Sequence, residues 1–326
     1  MTIQFLLLIA GLTLILMGAN WLVDGASSIA KKTGMSEFII GLTIVGIGTS
    51  TPEMVVSFIS SIQGKTDMAI GNVVGSNIFN TLVILGITAL ICPLDITKAS
   101  LKRDLPLNIG VTLLLILLGM KHTIFGVGTD SLTRIDGLIM LLILVLYFRL
   151  LLKKPKKGSL EDNIQTQNDG SEATKVFSTG KSVVFILMGL TGLVIGGRLF
   201  VNSATEIAVF YNMSQKFIAL TIMAAGTSLP ELATSVVAAV KGRGQMAMGN
   251  VLGSNISNIL LILGASAVIN PLSFGSMSMI DLGVVMVAAI FMFTSAYTFK
   301  SYKLDRYEGA ILLLMEAGYM TWLFMN

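Results

Sequence analysis

Long apolar segments separated by short polar ones make up most of the 326-residue chain. Stretches such as Ile109–Met120, Val183–Val194 and Leu282–Phe293 contain almost no polar side chains. With their flanks they approach the roughly 20 apolar residues that a helix needs to cross a bilayer. The pattern predicts ten membrane-spanning helices, at about 3–29, 36–62, 67–92, 104–121, 131–152, 180–205, 214–240, 246–270, 279–298 and 306–325.

The composition agrees with this pattern. Hydrophobic residues make up 54% of the chain and charged residues 12%, and the mean hydropathy is +0.83. A soluble domain with a water-facing surface is far less apolar. We therefore predict an all-α integral membrane protein that crosses the cell membrane (the inner or plasma membrane) many times.

A polar segment at 153–179 divides the predicted helices into a first half at 1–152 and a second half at 180–326. Basic residues cluster on the same side of the membrane as this linker, so the positive-inside rule predicts a cytoplasmic linker and both termini outside. Five helices per half is an odd number. The second half is therefore expected to enter the membrane inverted relative to the first.

The two halves also repeat each other in sequence. A shift of 178 residues, the difference between positions 226 and 48, aligns them without a gap from about residue 17 to residue 94. Gly48–Glu53 (GTSTPE) then falls on Gly226–Glu231 (GTSLPE), and Gly71–Asn80 falls on Gly249–Asn258 with eight of ten residues identical. Inverted repeats interrupted by Gly and Pro indicate a substrate site at the membrane midplane between the halves.

One glutamate in each half lies near the middle of a predicted helix. An ionised carboxylate at that depth costs at least roughly 2.5–3.5 kcal/mol, so Glu53 and Glu231 need compensating groups. Several neutral oxygens are spaced one helical turn from the acids or from one another. They belong to Thr49, Ser50, Ser76 and Asn80 in the first half and to Thr227, Ser228, Ser254 and Asn258 in the second. Gly46, Gly48 and Gly226, with the prolines, favour a helix break that leaves carbonyls free to face an ion.

This chemistry suits a hard cation. Ca²⁺ takes about 6–8 oxygen ligands, and two glutamates balance its charge. The same oxygens could hold Na⁺, so the two ions would compete for one site, as antiport requires. Glu316, Asp24 and Asn202 are more simply explained as interhelical hydrogen-bonding residues.

Other functional classes find little support in the composition. Cys92 and His122 are the only cysteine and histidine, which argues against a multi-residue His/Cys metal cluster and a Ser/His hydrolase. The basic residues lie between apolar segments, which argues against nucleic-acid binding. We expect no enzymatic activity and no cofactor. The expected partners are the bilayer and the transported ions, with the monomer as the functional unit.

The chain resembles the cation/calcium antiporter superfamily, and within it the prokaryotic sodium/calcium exchangers, over essentially its whole length. The pattern Gly-Thr-Ser-x-Pro-Glu followed by Gly-Asn-x-x-Gly-Ser-Asn-x-x-Asn, present twice, matches that family's alpha-repeats. The resemblance implies ten helices, with the long first and sixth sliding against a bundle of the others to give alternating access. It also implies twelve ion ligands: Gly46 (carbonyl), Thr49, Ser50, Glu53, Ser76, Asn80, Ala224 (carbonyl), Thr227, Ser228, Glu231, Ser254 and Asn258.

The resemblance also bears on the coupling ion. Some relatives, including potassium-dependent ones, carry aspartate at the position of Asn258, so the asparagine here argues against a potassium requirement. The proton/calcium branch has Gly-Asn where this chain has Gly-Thr-Ser, which argues for sodium. Proton-driven calcium exchange stays the alternative, because H⁺ could neutralise two buried glutamates as Na⁺ does.

Overall fold

A computed structural model describes residues 2–151, 176–213, 224–275, 277–297 and 302–325. Most of the predicted linker at 153–179 lies outside these residues, as does the start of the predicted helix at 214–240. The described part of the chain is mostly α-helical, and its β-structure consists of two ribbons of two-residue strands.

The first half contains seven helical segments within the described residues. They are α1 (Thr2–Thr33), α2 (Glu37–Thr49), α3 (Thr51–Ile62), α4 (Thr66–Ile91), α5 (a π turn at Ser100–Asp104 followed by Leu105–Gly119), α6 (Lys121–Phe125) and α7 (Arg134–Leu151). Helices α2 and α3 meet at an angle of 47°.

The second half follows the same order where it is described. Its helices are α8 (Thr179–Phe210), α9 (Ala224–Gly226), α10 (Leu229–Val240), α11 (Gly244–Ile269), α12 (Met279–Ser295) and α13 (Arg306–Met325). Within the described residues, α1, α4, α8 and α11 are each long and apolar enough to cross a membrane, and the bent α2–α3 pair would be a fifth span. These spans confirm a membrane protein, whereas ten crossings and an inverted second half stay predictions.

The two longest helices, α1 and α8, pack antiparallel along a seam of glycines. Gly11 lies against Gly196 near one end of the pair, and Gly25 lies against Ser182 near the other. A Cβ atom on Gly11 would lie 2.9 Å from the Gly196 carbonyl oxygen, and one on Gly25 would lie 2.8 Å from that of Ser182. The two backbones can approach this closely only because these positions have no side chain.

Helix α11 forms the centre of the protein, because every residue in 246–260 is buried. Helix α2 packs directly on it, and a Cβ atom on Gly46 would lie 3.0 Å from the Asn250 carbonyl oxygen. The broken helix pair α2–α3, which carries Glu53, is therefore held against the most enclosed part of the fold.

Two antiparallel ribbons connect the halves. Strand β1 (Leu94–Asp95), which follows α4, pairs with β4 (Lys303–Leu304), which precedes α13. Strand β2 (Ser131–Leu132), which precedes α7, pairs with β3 (Leu272–Ser273), which follows α11. Each ribbon takes one strand from each half, so the two halves contact each other at both ribbons.

Candidate ion-binding site

The two helix breaks place both acids at the start of a helix. Helix α2 ends at Thr49, Ser50 leaves helical geometry with φ −75° and ψ 11°, and α3 begins again at Thr51 with Pro52 in its first turn. Proline suits this position because its φ is already helical and the first turn needs no backbone donor. Glu53 therefore lies in the first turn of α3, where the helix macrodipole favours a negative charge.

The second half repeats this geometry. Ser228 has φ −90° and ψ 7°, Pro230 lies in the first turn of α10, and Glu231 follows it. Ala224 begins α9, and Thr227 lies in the turn between α9 and α10. The residues predicted at the two breaks therefore occupy equivalent positions in the two halves.

Both carboxylates are fully buried and are bound by serines of the opposite half. Glu53 and Glu231 each have 0% exposure. Ser50 Oγ donates to Glu231 Oε1 at 3.0 Å, and Ser228 Oγ donates to Glu53 Oε1 at 3.1 Å. Because each serine lies three residues before the glutamate of its own half, this exchange brings the two acids together.

The next helices add further oxygens. Ser76 Oγ donates to Glu53 Oε1 at 3.5 Å, and Asn80 lies one turn further along α4. In the other half Ser254 Oγ donates to the Gly46 carbonyl at 3.1 Å, and Asn258 lies one turn further along α11.

The Gly46 carbonyl differs from the sequence-based expectation. We expected the glycines to break the helix and to leave this carbonyl free. Instead α2 continues through Gly46, whose carbonyl accepts from Ser50 N at 3.2 Å as well as from Ser254 Oγ. The expectation of a free carbonyl is wrong for this conformation, because the break falls after Thr49 and the last helical hydrogen bond is still made.

Four buried oxygens at the site accept no hydrogen bond from the described residues. They are Glu53 Oε2, Glu231 Oε2, Asn80 Oδ1 and Asn258 Oδ1. A buried acceptor without a donor typically costs about 1–3 kcal/mol, and more when it is charged. Within the described chain, neither carboxylate forms an ion pair with a basic side chain. These four oxygens form two symmetric pairs, and their negative potential suits a cation.

Both asparagines with an unpaired oxygen also begin a π-helical turn. These turns span Asn80–Ile84 in α4 and Asn258–Leu263 in α11. A π turn leaves the regular backbone hydrogen-bond pattern and often occurs at functional sites. The sequence motif did not indicate these turns.

Four more asparagines of the repeated motif surround the site, although sequence reasoning assigned them no role. Asn72 Nδ2 donates to the Glu53 carbonyl at 3.1 Å, and Asn250 Nδ2 donates to the Glu231 carbonyl at 3.2 Å. Asn77 and Asn255 bind the side chains of Asn258 and Asn80. Their identity in both halves was the sequence signal that could have revealed them.

A helical membrane protein whose broken helices enclose paired acids has the architecture of a secondary transporter. The chain belongs to the sodium/calcium exchanger protein family, whose model matches residues 3–153 and 181–325. This family consists of antiporters, in agreement with the predicted lack of enzymatic activity.

Individual relatives cover the whole chain. CaxA of Alkalimonas amylolytica is 38% identical over 328 residues, which is 100% of both chains. The sodium/calcium exchanger MaX1 of Methanosarcina acetivorans is 32% identical over 354 residues, or 99% of each chain. A solved structure of the sodium–calcium exchanger NCX_Mj, soaked with 2.5 mM Na⁺ and 0.1 mM Ca²⁺, matches with a TM-score of 0.81 and 29% identity over 98% of both chains. The chain is therefore a cation/calcium antiporter.

Proposed function

We propose that the protein exchanges Na⁺ for Ca²⁺ by alternating access at the site between Glu53 and Glu231. The four unpartnered, buried oxygens carry this proposal, because they supply two negative charges and two neutral dipoles at symmetric positions. The names of MaX1 and NCX_Mj support the choice of ions.

The proposed calcium site draws on both halves. The two glutamates would balance the charge of Ca²⁺, and hydroxyl, amide and carbonyl oxygens would complete a shell of about 6–8 ligands. The candidate ligands are Gly46 (carbonyl), Thr49, Ser50, Glu53, Ser76, Asn80, Ala224 (carbonyl), Thr227, Ser228, Glu231, Ser254 and Asn258. To bind an ion, Ser50 and Ser228 would turn their lone pairs toward it, and each carboxylate would give up its serine hydrogen bond and contact the cation instead.

Sodium would compete for the same oxygens. A bound Na⁺ is coordinated by hydroxyl and amide oxygens as Ca²⁺ is. Because Na⁺ carries half the charge of Ca²⁺, more than one Na⁺ is needed to balance the two carboxylates. Occupation by one kind of ion therefore excludes the other. This mutual exclusion couples the two fluxes.

Alternating access would slide α1 and α8 against the bundle of the other helices. The close contact of their backbones along the glycine seam would let these two helices move together as a pair. The antiparallel direction of these two helices supports an inverted second half. We further propose a cytoplasmic linker, outside termini and a monomeric transport unit in the cell membrane.

Uptake of ⁴⁵Ca²⁺ into proteoliposomes tests the proposal. Vesicles loaded with Na⁺ and diluted into sodium-free buffer at equal pH should accumulate calcium, and collapsing the sodium gradient should stop the uptake. Vesicles with only a pH gradient test the alternative, proton/calcium exchange, which the two buried carboxylates would also allow. Uptake that follows the pH gradient and ignores sodium would replace the proposal with this alternative.

A further inference from the structure

Four buried asparagines on α4 and α11 form a crossed pair of side-chain hydrogen bonds. Asn77 and Asn80 lie one turn apart on α4, and Asn255 and Asn258 lie one turn apart on α11. Their exposed fractions do not exceed 3%. In each pair an asparagine of one half binds the candidate ligand of the other half.

The first pair consists of Asn77 and Asn258. Asn77 Nδ2 donates to the backbone carbonyl of Asn255 at 3.2 Å. A carbonyl can only accept, so this bond fixes which end of the Asn77 amide is nitrogen. The opposite end, Oδ1, accepts from Asn258 Nδ2 at 2.9 Å. Asn258 must therefore turn its own oxygen away from Asn77, and that oxygen is one of the unpartnered four.

The second pair consists of Asn255 and Asn80. Asn255 Nδ2 donates to Thr81 Oγ1 at 2.8 Å, and Asn255 Oδ1 accepts from Asn80 Nδ2 at 3.2 Å. Asn80 Oδ1 is thereby directed away from Asn255, and none of the described residues donates to it. Position 259, which corresponds to Thr81 in the second half, is isoleucine, so only this pair is anchored by a hydroxyl.

The direction of an amide decides whether it attracts or repels a cation. Its oxygen is an acceptor, whereas its nitrogen carries two donors and no lone pair for a metal ion. A reversed Asn80 or Asn258 would therefore present positive N–H groups to the site.

We propose that Asn77 and Asn255 are positioning residues, which hold the amide oxygens of Asn258 and Asn80 toward a hard cation shared by the two halves. This inference rests on the proposed function, because it assigns a role within the same ion site. It extends that proposal to two residues outside the ligand set. Each positioning residue acts across the boundary between the halves.

Single substitutions test the role first. Asn77→Ala and Asn255→Ala should each raise the KM for Ca²⁺ about 10–100-fold, as loss of a partner that orients a metal ligand typically does. The detergent-purified variants should elute as wild type does on size exclusion. Asn270→Ala is the matched control, because Asn270 Nδ2 also donates to a carbonyl of another helix, Ser61 O at 3.1 Å, but lies outside the site. An unchanged KM in both test variants would overturn the proposal.

Double-mutant cycles test the specific pairing. If Asn77 acts through Asn258, adding Asn77→Ala to Asn258→Ala should raise the KM little further, whereas its effect should persist in full beside Asn80→Ala. The reverse holds for Asn255→Ala. It should not raise the KM for Ca²⁺ further in the Asn80→Ala variant, and it should raise the KM in full in the Asn258→Ala variant. Equal coupling in all four combinations, or none, would overturn the proposal.

A milder variant covers the case in which an alanine variant does not fold. Thr81→Val keeps the side-chain shape and removes the acceptor of Asn255 Nδ2, so it should raise the KM for Ca²⁺ in the wild type and leave it unchanged in Asn80→Ala. An equal rise in both backgrounds would contradict the inference. If the wild type moves no calcium under a sodium or a pH gradient, the proposed function itself fails. If the wild type transports and the cycles show no coupling, only the positioning role fails.

Discussion

Replacing Glu53 by glutamine tests the site most directly, because it removes one charge and keeps the shape of the side chain. The wild-type carboxylate is fully buried and accepts from Ser228 at one oxygen, and its other oxygen has no hydrogen-bond partner in the described part of the chain. Glutamine retains one oxygen for Ser228 and introduces an NH₂ group where the unpartnered oxygen was. A divalent cation at this position would then face one carboxylate instead of two.

The expected loss follows from the burial of the charges. Removing one partner of a buried charge pair costs about 3–5 kcal/mol, because the remaining charge stays uncompensated in a medium that screens it poorly. At 1.36 kcal/mol per tenfold change, this is a loss of about 10²–10⁴-fold in calcium transport at subsaturating concentration. Glu231→Gln should show a similar loss, because Ser50 binds Glu231 as Ser228 binds Glu53.

Sodium-driven ⁴⁵Ca²⁺ uptake measures this loss, and thermal unfolding separates it from misfolding. In ion-free buffer each glutamine variant buries one uncompensated carboxylate instead of two, so it should unfold at the wild-type temperature or above it. The wild type should gain stability with Ca²⁺ by mass action, about 2.7 kcal/mol at 100 times Kd, and the variants should not.

Glu316→Gln is the matched control. It also removes a carboxylate on an apolar helix, α13, and Glu316 Oε2 likewise has no hydrogen-bond partner among the described residues. It should transport as wild type does. Wild-type rates in Glu53→Gln or Glu231→Gln, or an equal loss in the control, would refute the assignment of the site.

Three further predictions concern the contacts around the site. Ser50→Ala and Ser228→Ala each remove a hydrogen bond to a charged group, which is worth about 1.5–3 kcal/mol, and each should lower the apparent calcium affinity about 10–100-fold. Ser61→Ala, which removes a hydrogen bond away from the site, is the control. A tenfold or larger difference between the Ser50 and Ser228 variants would contradict the symmetry of the site. Gly18→Ala places a Cβ atom 2.8 Å from the Gly189 carbonyl oxygen and should destabilise the α1–α8 seam by about 1–3 kcal/mol in thermal unfolding. Gly197→Ala is the control and should not, because a Cβ atom there would have no atom of the described residues within 4 Å. Lys241→Gln breaks the 2.7 Å ion pair between Lys241 and Asp24. Because the two side chains are 28% and 38% exposed, the free energy of unfolding should fall by only about 0.2–1 kcal/mol. A larger loss in thermal unfolding would show that solvent screens the pair less than its exposure implies.

Much of the architecture follows from local sequence patterns. Hydrophobic segments predicted the long helices, because a helix in lipid must satisfy its own backbone and cover it with apolar side chains over about 20 residues. The described helices overlap every predicted span, although residues 214–223 lie outside the described part. Asp24, interpreted from the sequence as an interhelical hydrogen-bonding residue, accepts from Lys241 Nζ at 2.7 Å, just after the end of α10. For Glu316, which had the same interpretation, Oε2 has no hydrogen-bond partner among the described residues.

The sequence also singled out the two acids. A carboxylate is costly in a membrane wherever its helix lies, so Glu53 and Glu231 stood out without any knowledge of packing. The repeat placed them at equivalent positions, but it could not show that they meet.

Only the tertiary structure revealed how the halves contact each other. Ser50 was expected to support the glutamate of its own half, yet it binds Glu231, which is 181 residues away. The engaged carbonyl of Gly46 and the crossed asparagine pairs likewise depend on α2 and α4 meeting α11. Hydropathy and spacing describe one helix at a time, whereas the direction of a hydrogen bond depends on the neighbouring helix that packing brings against it.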